Sequence, residues 1–373
     1  MDVPFIDLKA QYERVEKEVN AGIQRVLAHG KYIMGPEISE FENKLAEFCG
    51  VKHAITCSNG TDALSLGLMA YDVGPGDAVF TTPFTFFATA ETIALTGATP
   101  VFVDIDPRTF NIDPKELLRQ VERVVSEGKL NPRGVMPVNL FGLAPDFDKI
   151  DEVAKKHNLF VIEDTAQGFG GEYKGRISGS LGDISATSFF PAKPLGCYGD
   201  GGAVFTNDDD LADKMKSLRV HGKGVDKYDN VRIGLNARFD TLQAAIMLPK
   251  LEIFPNEIRL RQNVAERYNE ALKSLVETPY VPEGYKSVWA QYSVLSDDRE
   301  PLQDALKKEG IPSVIYYRIP CHLSKAFEHL GYKTGDMPES ERAATRIFSL
   351  PMHPYVEDDF ASKVADIFKS VLN

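Results

Sequence analysis

The chain has 373 residues and carries a net charge of −12 at pH 7, from 54 acidic and 42 basic residues. This acidic balance argues against a nucleic-acid-binding surface, which needs a basic footprint, but it leaves room for a small anionic substrate held by a few local arginines and backbone N–H groups. The length allows a sizeable core and two or three domains, and the hydrophobic fraction of 43% is ordinary for a soluble globular protein.

The N-terminal stretch at 1–19 is charged from position 2 onward and lacks the apolar core of a signal peptide. No apolar run in the sequence approaches the length of a membrane span, so we expect no membrane association. The four cysteines form no C-x-x-C pair that would suggest a disulfide framework. The seven histidines show no pair at helical ligand spacing beyond chance, so no metal site is expected. These features predict a cytoplasmic protein of enzyme size.

Short apolar runs alternate with helical patterns through the first two-thirds of the chain. The first run, HAITC (His53–Cys57), ends at a Ser-Asn-Gly turn, and a helical pattern follows it. Strand–helix alternation at this spacing predicts βαβ units and a mostly parallel sheet, and runs rich in Val, Ile and Phe indicate that helices cover both of its faces. The segment at 122–134 resembles an insertion, and we expect it to be an addition on the surface of the protein. The remaining apolar runs lie at 78–82, 99–106, 134–142 and 159–164.

The pattern changes after about residue 246. A long charged amphipathic helix follows, and we expect it to break near Pro255 because proline removes a helix hydrogen bond. We therefore predict an α/β fold with a large domain at 1–246, built on a mostly parallel central sheet, and a smaller C-terminal α+β domain at 247–373. The predicted elements of the smaller domain are helices at 249–275, 302–310 and 361–373 and strands at 287–296 and 312–317.

The stretch TCSNGTDAL, at 56–64, places a glycine-containing turn between a strand and the start of a helix. The exposed N–H groups of Gly60, Thr61 and Asp62 would point at whatever lies above that helix N-terminus, where an anion is favoured. An ordinary helix capped by the preceding Ser-Asn pair would explain the same pattern. The stretch by itself therefore leaves a phosphate site and a plain helix cap both open.

The apolar run at 159–164 ends on Glu163 and Asp164, and Gln167 follows three residues later. Ligands bind at the carboxyl ends of strands in parallel sheets. An acidic side chain there could pair with a protonated ring nitrogen and keep it cationic by raising its pKa. One of the two acids could instead cap the next helix, which is a common role for aspartate.

Lys193 lies between an apolar strand-like run and a glycine-rich turn in the stretch SATSFFPAKPLGCYGDGGAVFT. Pro194 restricts Lys193 to extended backbone, and the glycines that follow let the turn approach a ligand closely. An amine nucleophile must be positioned and partly desolvated to work near neutral pH. The pattern is therefore typical of a nucleophilic lysine, while a loop lysine in solvent is the alternative.

Together these stretches supply an anion cradle, a strand-end acid and a lysine in a glycine-rich turn. A pyridoxal phosphate enzyme needs these parts to hold the cofactor's phosphate, its ring nitrogen and its aldehyde. Over essentially its whole length the chain also resembles the fold-type I pyridoxal-phosphate aminotransferases of the DegT/DnrJ/EryC/StrS family, which act on nucleotide-linked keto sugars. The motifs that carry the resemblance are GKYIMGPEISEFE, SNGTDAL, TPFTFFATAE, EDTAQ, SFFPAKPLGCYGDGGA, GLNARFDTLQAAI and SLPMHP.

The resemblance implies a role in cofactor binding for several residues. Lys193 would form the Schiff base with pyridoxal phosphate, Asp164 would bind the pyridine nitrogen, and Gln167 would lie beside the phenolic oxygen. Phe87, in TPFTFFATAE, would stack on the ring, and simple core packing is a competing role for it. Lys193 and Asp164 are the residues expected to be catalytic.

The resemblance also implies a phosphate site that two subunits share. Gly60, Thr61 and Ser188 would hold the phosphate. Asn236, in GLNARFD, matches a residue that reaches the phosphate of the neighbouring subunit. Members of the family are dimers with sites at the interface, so we expect a homodimer.

Within the family, the stretches SFFPAKPLGCYGDGGA and DTLQAAIMLPKLEIF are similar to members that aminate UDP-2-acetamido-3-oxo-glucuronate. Their products enter bacterial surface polysaccharides such as O-antigen. Arg238 matches an arginine that meets the C6 carboxylate of this sugar, which a guanidinium can bind bidentately. In place of the family's His-Tyr-Pro run before the substrate, this chain has Tyr316, Tyr317 and Arg318. Tyr317 keeps its place, and Arg318 could contact a carboxylate or the pyrophosphate.

The resemblance thus implies transfer of an amino group from L-glutamate to this UDP-linked 3-keto sugar acid. The same reaction could instead use a 4-keto-6-deoxy or 3-keto-6-deoxy nucleotide sugar, because relatives whose sugars lack the carboxylate also carry an arginine at the position of Arg238. Sugar dehydratases of this fold replace the lysine with histidine, so Lys193 argues against that activity. The complete set of cofactor residues disfavours a non-catalytic nucleotide-sugar-binding protein of the same fold.

Overall fold

The computed structural model describes residues 3–226 and 228–372, which form alternating strands and helices along most of their length. The strands are β1 (His53–Cys57), β2 (Asp77–Thr81), β3 (Thr99–Phe102), β4 (Asn131–Met136), β5 (Phe160–Asp164), β6 (Glu172–Tyr173), β7 (Arg176–Ile177), β8 (Ile184–Ser188), β9 (Gly202–Thr206), β10 (Tyr285–Lys286), β11 (Tyr292–Leu295) and β12 (Ile347–Leu350). The helices are α1 (Leu8–His29), α2 (Pro36–Cys49), α3 (Gly60–Ala70), α4 (Ala88–Leu95), α5 (Pro114–Glu127), α6 (Phe147–His157), α7 (Asp209–Leu218), α8 (Thr241–Leu272), α9 (Arg299–Lys308), α10 (Pro338–Arg346) and α11 (Phe360–Leu372).

A seven-stranded sheet in the order β1-β9-β8-β5-β4-β2-β3 confirms the predicted α/β architecture. All neighbours from β8 to β3 in this order are parallel, and β9 is antiparallel to both of its neighbours. Parallel strands need crossover connections, and here helices provide them on both faces. The sheet is therefore mostly parallel and buried on each side, as its apolar strands predict.

Successive side chains of the central strands point to opposite faces of the sheet. Val79 and Ile162 lie in a core cluster with the leucines of α3, whereas Phe80 and Val161 lie in a second cluster with Leu117 of α5 and residues of α6. Each strand thus supplies two cores at once. This leaves only its carboxyl end free to present polar side chains.

The C-terminal part has a core of its own around the two-stranded sheet of β11 and β12. Tyr292, Phe348 and Phe368 are fully buried in it, and helix α8 adds Tyr268. The expected boundary at residue 246 falls inside α8, so one continuous helix belongs to both parts. The division into 1–246 and 247–373 stays a prediction.

Two expected features of the C-terminal part are wrong. Helix α8 runs without interruption through Pro249 and Pro255, because burial of Ile246 against α1 and of Phe254 against α2 outweighs the missing hydrogen bonds. The segment at 312–317 forms no strand: only Val314 pairs with β12, through Ser349.

The segment at 122–134 is also part of the framework rather than a surface addition. It comprises the end of α5, the left-handed cap at Gly128 and the start of β4.

No helix in the described ranges is long and apolar enough to cross a membrane. Within residues 3–226 and 228–372, no group of three or more His, Cys, Asp or Glu side chains could hold a metal ion.

Candidate active site

The carboxyl ends of three strands bring the main polar residues together. β1 ends at Cys57 and leads into α3 at Gly60, β5 ends at Asp164, and β8 ends at Ser188. The register of β5 and β8 places Asp164 opposite Ala186, two residues before Ser188. Ligands of parallel sheets bind at this edge, so the topology itself creates a candidate site there.

Asp164 is a buried carboxylate with two hydrogen bonds. Its Oδ2 accepts from Thr89 Oγ1 at 2.8 Å, and its Oδ1 accepts from the backbone N–H of Ala166 at 3.1 Å. Burial raises the pKa of Asp164, whereas these two donors and the positive charge of Lys193 act in the opposite direction. A cationic group placed at this carboxylate would therefore be stabilised by it.

Lys193 lies in the loop at 189–201, between β8 and β9. The loop is closed by hydrogen bonds from Lys193 N to Phe190 O at 2.8 Å and from Cys197 N to Phe189 O at 2.7 Å. Burial lowers the pKa of Lys193, and the nearby charge of Asp164 opposes this shift. No hydrogen bond joins its Nζ to any residue in the described ranges. The side chain is therefore a partly desolvated amine on a loop closed by backbone hydrogen bonds, which suits a nucleophile.

The start of α3 provides an anion cradle as well as a capped helix. Asn59 caps the helix by accepting a hydrogen bond from Asp62 N at 2.7 Å. The plain helix cap that the sequence left open is therefore present as well. Within residues 3–226 and 228–372 the N–H groups of Gly60 and Thr61 have no acceptor, as expected in a first helical turn. A Cβ atom at Gly60 would lie 2.7 Å from Cβ of Ser188, so only glycine leaves space here. The N-terminus of α3, with its N–H donors, thus lies directly beside Ser188 and its hydroxyl.

Gln167 and Tyr317 connect this edge to the C-terminal part of the chain. Gln167 Oε1 accepts from Phe141 N at 2.9 Å, and its Nε2 donates to the Tyr317 hydroxyl at 3.0 Å. Burial raises the pKa of Tyr317, so its hydroxyl stays protonated. Both side chains are held in single orientations next to Asp164.

The two phenylalanines before α4 have different surroundings. The partly buried ring of Phe87 packs against Phe327, with ring centroids 5.2 Å apart, in a small cluster that includes Phe102. This contact favours the packing role that the sequence left open for Phe87. Phe86 is 56% exposed and is the ring that remains uncovered in the single chain.

The remaining expected residues differ in how far they are buried. Asn236 is exposed, and Arg238 is partly buried with its Nε unpartnered within the described ranges. No hydrogen bond or ion pair there joins either of them to Lys193 or Asp164. Arg318 is exposed. Tyr316 is partly buried, and its ring centroid lies 5.7 Å from that of Tyr317.

Sequence reasoning missed the side chains that support the site. Thr89 lies in the quoted motif TPFTFFATAE, but its bond to Asp164 spans 75 residues and has no local signal. Glu163 does not cap a helix. It points to the other face of β5, where Asn139 and Ser185 donate to it at 2.6 Å each.

The gathered residues fit pyridoxal phosphate. Gly60, Thr61 and Ser188 would hold its phosphate, because they offer donors where a Cβ atom is excluded. Asp164 would pair with its ring nitrogen, and the unpartnered Nζ of Lys193 would take its aldehyde carbon. The donor set therefore agrees with the cofactor that the sequence suggests.

Comparison with known proteins agrees with this geometry. Residues 13–369 match the DegT/DnrJ/EryC1/StrS aminotransferase family. The chain is 50% identical over 358 residues (95% of this chain and 96% of the relative) to UDP-2-acetamido-2-deoxy-3-oxo-D-glucuronate aminotransferase of Pseudomonas aeruginosa. It is 43% identical over 377 residues, 99% of each chain, to the pleiotropic regulatory protein of Geobacillus stearothermophilus. A crystal structure of a DegT DnrJ EryC1 StrS aminotransferase from Brucella abortus superposes with a TM-score of 0.97 at 50% identity, covering 100% of both chains. The chain therefore belongs to the DegT/DnrJ/EryC1/StrS aminotransferase family and is a pyridoxal-phosphate-dependent aminotransferase.

Proposed function

We propose that this protein transfers the amino group of L-glutamate to the ketone of UDP-2-acetamido-2-deoxy-3-oxo-glucuronate. The similarity to the Pseudomonas aeruginosa enzyme, over nearly the whole of both chains, supports this substrate. The structural observation that carries the chemistry is the buried Asp164 carboxylate beside the unpartnered amine of Lys193. The product would serve the synthesis of a bacterial surface polysaccharide such as O-antigen, from nucleotide sugars in the cytoplasm.

Each residue of the site has a defined task in this proposal. Pyridoxal phosphate, when bound, supplies an aromatic ring that accepts the electron pair left behind when a C–H proton departs. Asp164 keeps the ring nitrogen protonated, which makes the ring a better electron acceptor. Lys193 Nζ removes the proton from the α-carbon of glutamate, and it performs the reverse transfer when the keto sugar is the amino acceptor. Gln167, held by Tyr317, keeps its place beside the ring's phenolic oxygen.

We further propose that Arg238 binds the C6 carboxylate of the sugar. Its guanidinium is partly buried and has an unpartnered Nε, which suits a bidentate carboxylate partner. Tyr316, Tyr317 and Arg318 would line the same substrate side, where Arg318 could meet the pyrophosphate.

The proposal includes a homodimer with shared sites. The segment before Asn236 exposes large apolar side chains, with Val225 97% and Ile233 88% exposed in the single chain. Exposed apolar surface of this kind is typical of an interface. A partner covering it would receive Asn236, at the end of the segment, near its own phosphate site.

The test is a two-step absorbance experiment on the purified protein loaded with pyridoxal phosphate. L-Glutamate should convert the bound cofactor to its aminated form, and UDP-2-acetamido-2-deoxy-3-oxo-glucuronate should reverse the change. Reversal by a 4-keto-6-deoxy nucleotide sugar alone would keep the reaction class but refute the proposed substrate. No change with glutamate would refute the donor, and no change with any amino acid would favour a non-catalytic role.

A further inference from the structure

Glu163, the neighbour of Asp164, is a fully buried carboxylate, and all its hydrogen-bond partners in the described ranges are donors to it. Asn139 Nδ2 and the Ser185 hydroxyl each donate to it at 2.6 Å, and the backbone N–H groups of Gly179 and Leu181 donate at 3.0 to 3.1 Å. No cation pairs with it in the described ranges. Burial raises the pKa of Glu163, but these donors favour its ionised form. A buried carboxylate without a cation partner is costly, so the donors around Glu163 must hold it closely.

Asn139 connects this carboxylate to the candidate active site. Its side chain is fully buried and its Oδ1 has no partner in the described ranges, so only the Nδ2 donor is used. The carboxylate of Glu163 sets this orientation, because the opposite one would bring two oxygens together. The backbone N–H of Asn139 in turn donates to Asp164 O at 2.9 Å.

The turn that begins at Asn139 also holds the second cofactor residue. Two residues later, the backbone N–H of Phe141 donates to Gln167 Oε1 at 2.9 Å. A Cβ atom at Gly168 would lie 2.3 Å from Cβ of Asn139, so a glycine is needed for the turn to pack this closely. One turn therefore contacts the backbone of Asp164 and the side chain of Gln167.

We propose that Glu163 and Asn139 are positioning residues for the cofactor. The Glu163 carboxylate anchors Asn139 from the far face of β5, and the turn at 139–141 then fixes Asp164 and Gln167 on the near face. Neither residue touches the cofactor in this scheme. The inference rests on the proposed roles of Asp164 and Gln167.

The test compares two variants that each remove one 2.6 Å hydrogen bond to Glu163. Asn139→Ala also releases the turn, whereas Ser185→Ala does not, so Ser185→Ala is the matched control. Both should lower the stability of the cofactor-free protein. Only Asn139→Ala should weaken binding of pyridoxal phosphate, by about tenfold, and shift the pH at which the absorbance of the bound cofactor changes. The inference would be overturned if the wild type and both variants bound pyridoxal phosphate equally and responded equally to pH. It would also be overturned if both variants lost the same cofactor affinity.

A third variant separates this inference from the proposed function. Asp164→Asn should change the absorbance and the affinity of the cofactor directly. If it does not, the proposed role of Asp164 fails; if it does while Asn139→Ala has no effect, only the positioning role fails. Should Asn139→Ala not fold, Asn139→Asp provides the same test. Its carboxyl can donate to Glu163 only when protonated, so cofactor affinity should fall more steeply with rising pH than in the wild type, and a parallel pH dependence would overturn the inference.

Discussion

Gln167 Nε2 donates a hydrogen bond of 3.0 Å to the hydroxyl of Tyr317, and this contact joins the end of β5 to a segment 150 residues away. Tyr317 also packs edge-on against Phe84, with ring centroids 6.3 Å apart. The C-terminal part of the chain thus touches the cofactor side of the sheet through one oriented side chain. A change there should affect the stability of the protein and its turnover together.

Tyr317→Phe should modestly lower both the stability of the protein and its turnover. The variant leaves Nε2 of Gln167 buried without its acceptor, which typically costs about 1–3 kcal/mol. We expect a fall of this size in the free energy of unfolding, measured by urea denaturation, and a lower kcat with L-glutamate. Tyr332→Phe is the matched control, because its hydroxyl accepts a hydrogen bond from Phe102 N at 3.1 Å, away from the site. The assignment of Gln167 to the site is wrong if the two variants reduce kcat equally.

Lys193→Ala should strongly reduce transamination. Loss of the proton-transferring amine should reduce turnover on the order of 10³-fold, and the protein should no longer hold pyridoxal phosphate covalently. Borohydride reduction of the loaded wild type, followed by peptide mass spectrometry, should place the cofactor on the peptide that contains Lys193. Lys250 is the internal control, because it is also a buried amine but lies outside the glycine-rich loop. Labelling of Lys250, or of the Lys193→Ala variant, would contradict the assignment.

Arg238→Gln should discriminate between substrates. Losing a charge-assisted bond to the C6 carboxylate should raise the KM for UDP-2-acetamido-2-deoxy-3-oxo-glucuronate by about 10- to 100-fold. The half-reaction with L-glutamate should keep its rate, and so should amination of a keto sugar that lacks the carboxylate. Steady-state kinetics with both sugars provides the comparison. An equal rise in KM for the two sugars would mean that Arg238 does not bind the carboxylate.

Much of the sheet in the N-terminal part of the chain could be predicted from local sequence pattern, because the apolar runs coincide with buried strands there. The apolar run at 53–57 coincides with β1, and Asp164 ends β5 where its sequence run ends. Ligands of parallel sheets bind at the carboxyl ends of the strands, and this rule places Asp164 and the start of α3 at one edge of the sheet without knowledge of the fold. Alternation along a strand separates Glu163 from Asp164, but which acid faces the cofactor depends on which helices cover each face.

Features that depend on distant packing could not be read from the sequence. Pro255 signals a helix break, yet α8 continues through it because its buried face is held by α1 and α2. Val314 begins an apolar run that looks like a strand, but β12 offers a partner to only one of its residues. The orientation of Phe86 and Phe87 depends on where α4 begins and on Phe327, which lies 240 residues after Phe87.

Lys250→Met should stabilise the protein at neutral pH. Lys250 is fully buried in α8, its Nζ has no hydrogen-bond partner in the described ranges, and it lies 4.6 Å from the ring centroid of Tyr198. Burial lowers the pKa of Lys250 from 10.5 to about 8, against the smaller opposing effect of Glu257. At pH 7 the amine is charged in both states, so the folded state bears the full cost of the lowered pKa, about 3 kcal/mol.

The pH dependence of this effect has a definite sign. Between pH 8 and 10.5 the unfolded chain binds more protons at Lys250 than the folded chain, so its contribution to stability rises with pH. The advantage of Lys250→Met should therefore be greatest at or below pH 8 and shrink toward pH 10.5. Urea denaturation at pH 7 and pH 10 measures the difference, with the partly exposed Lys44, which pairs with Glu252 of α8, changed to Met as the control. A loss of stability at pH 7, or a gain that is the same at both pH values, would show that Lys250 is not a buried cation under strain from desolvation.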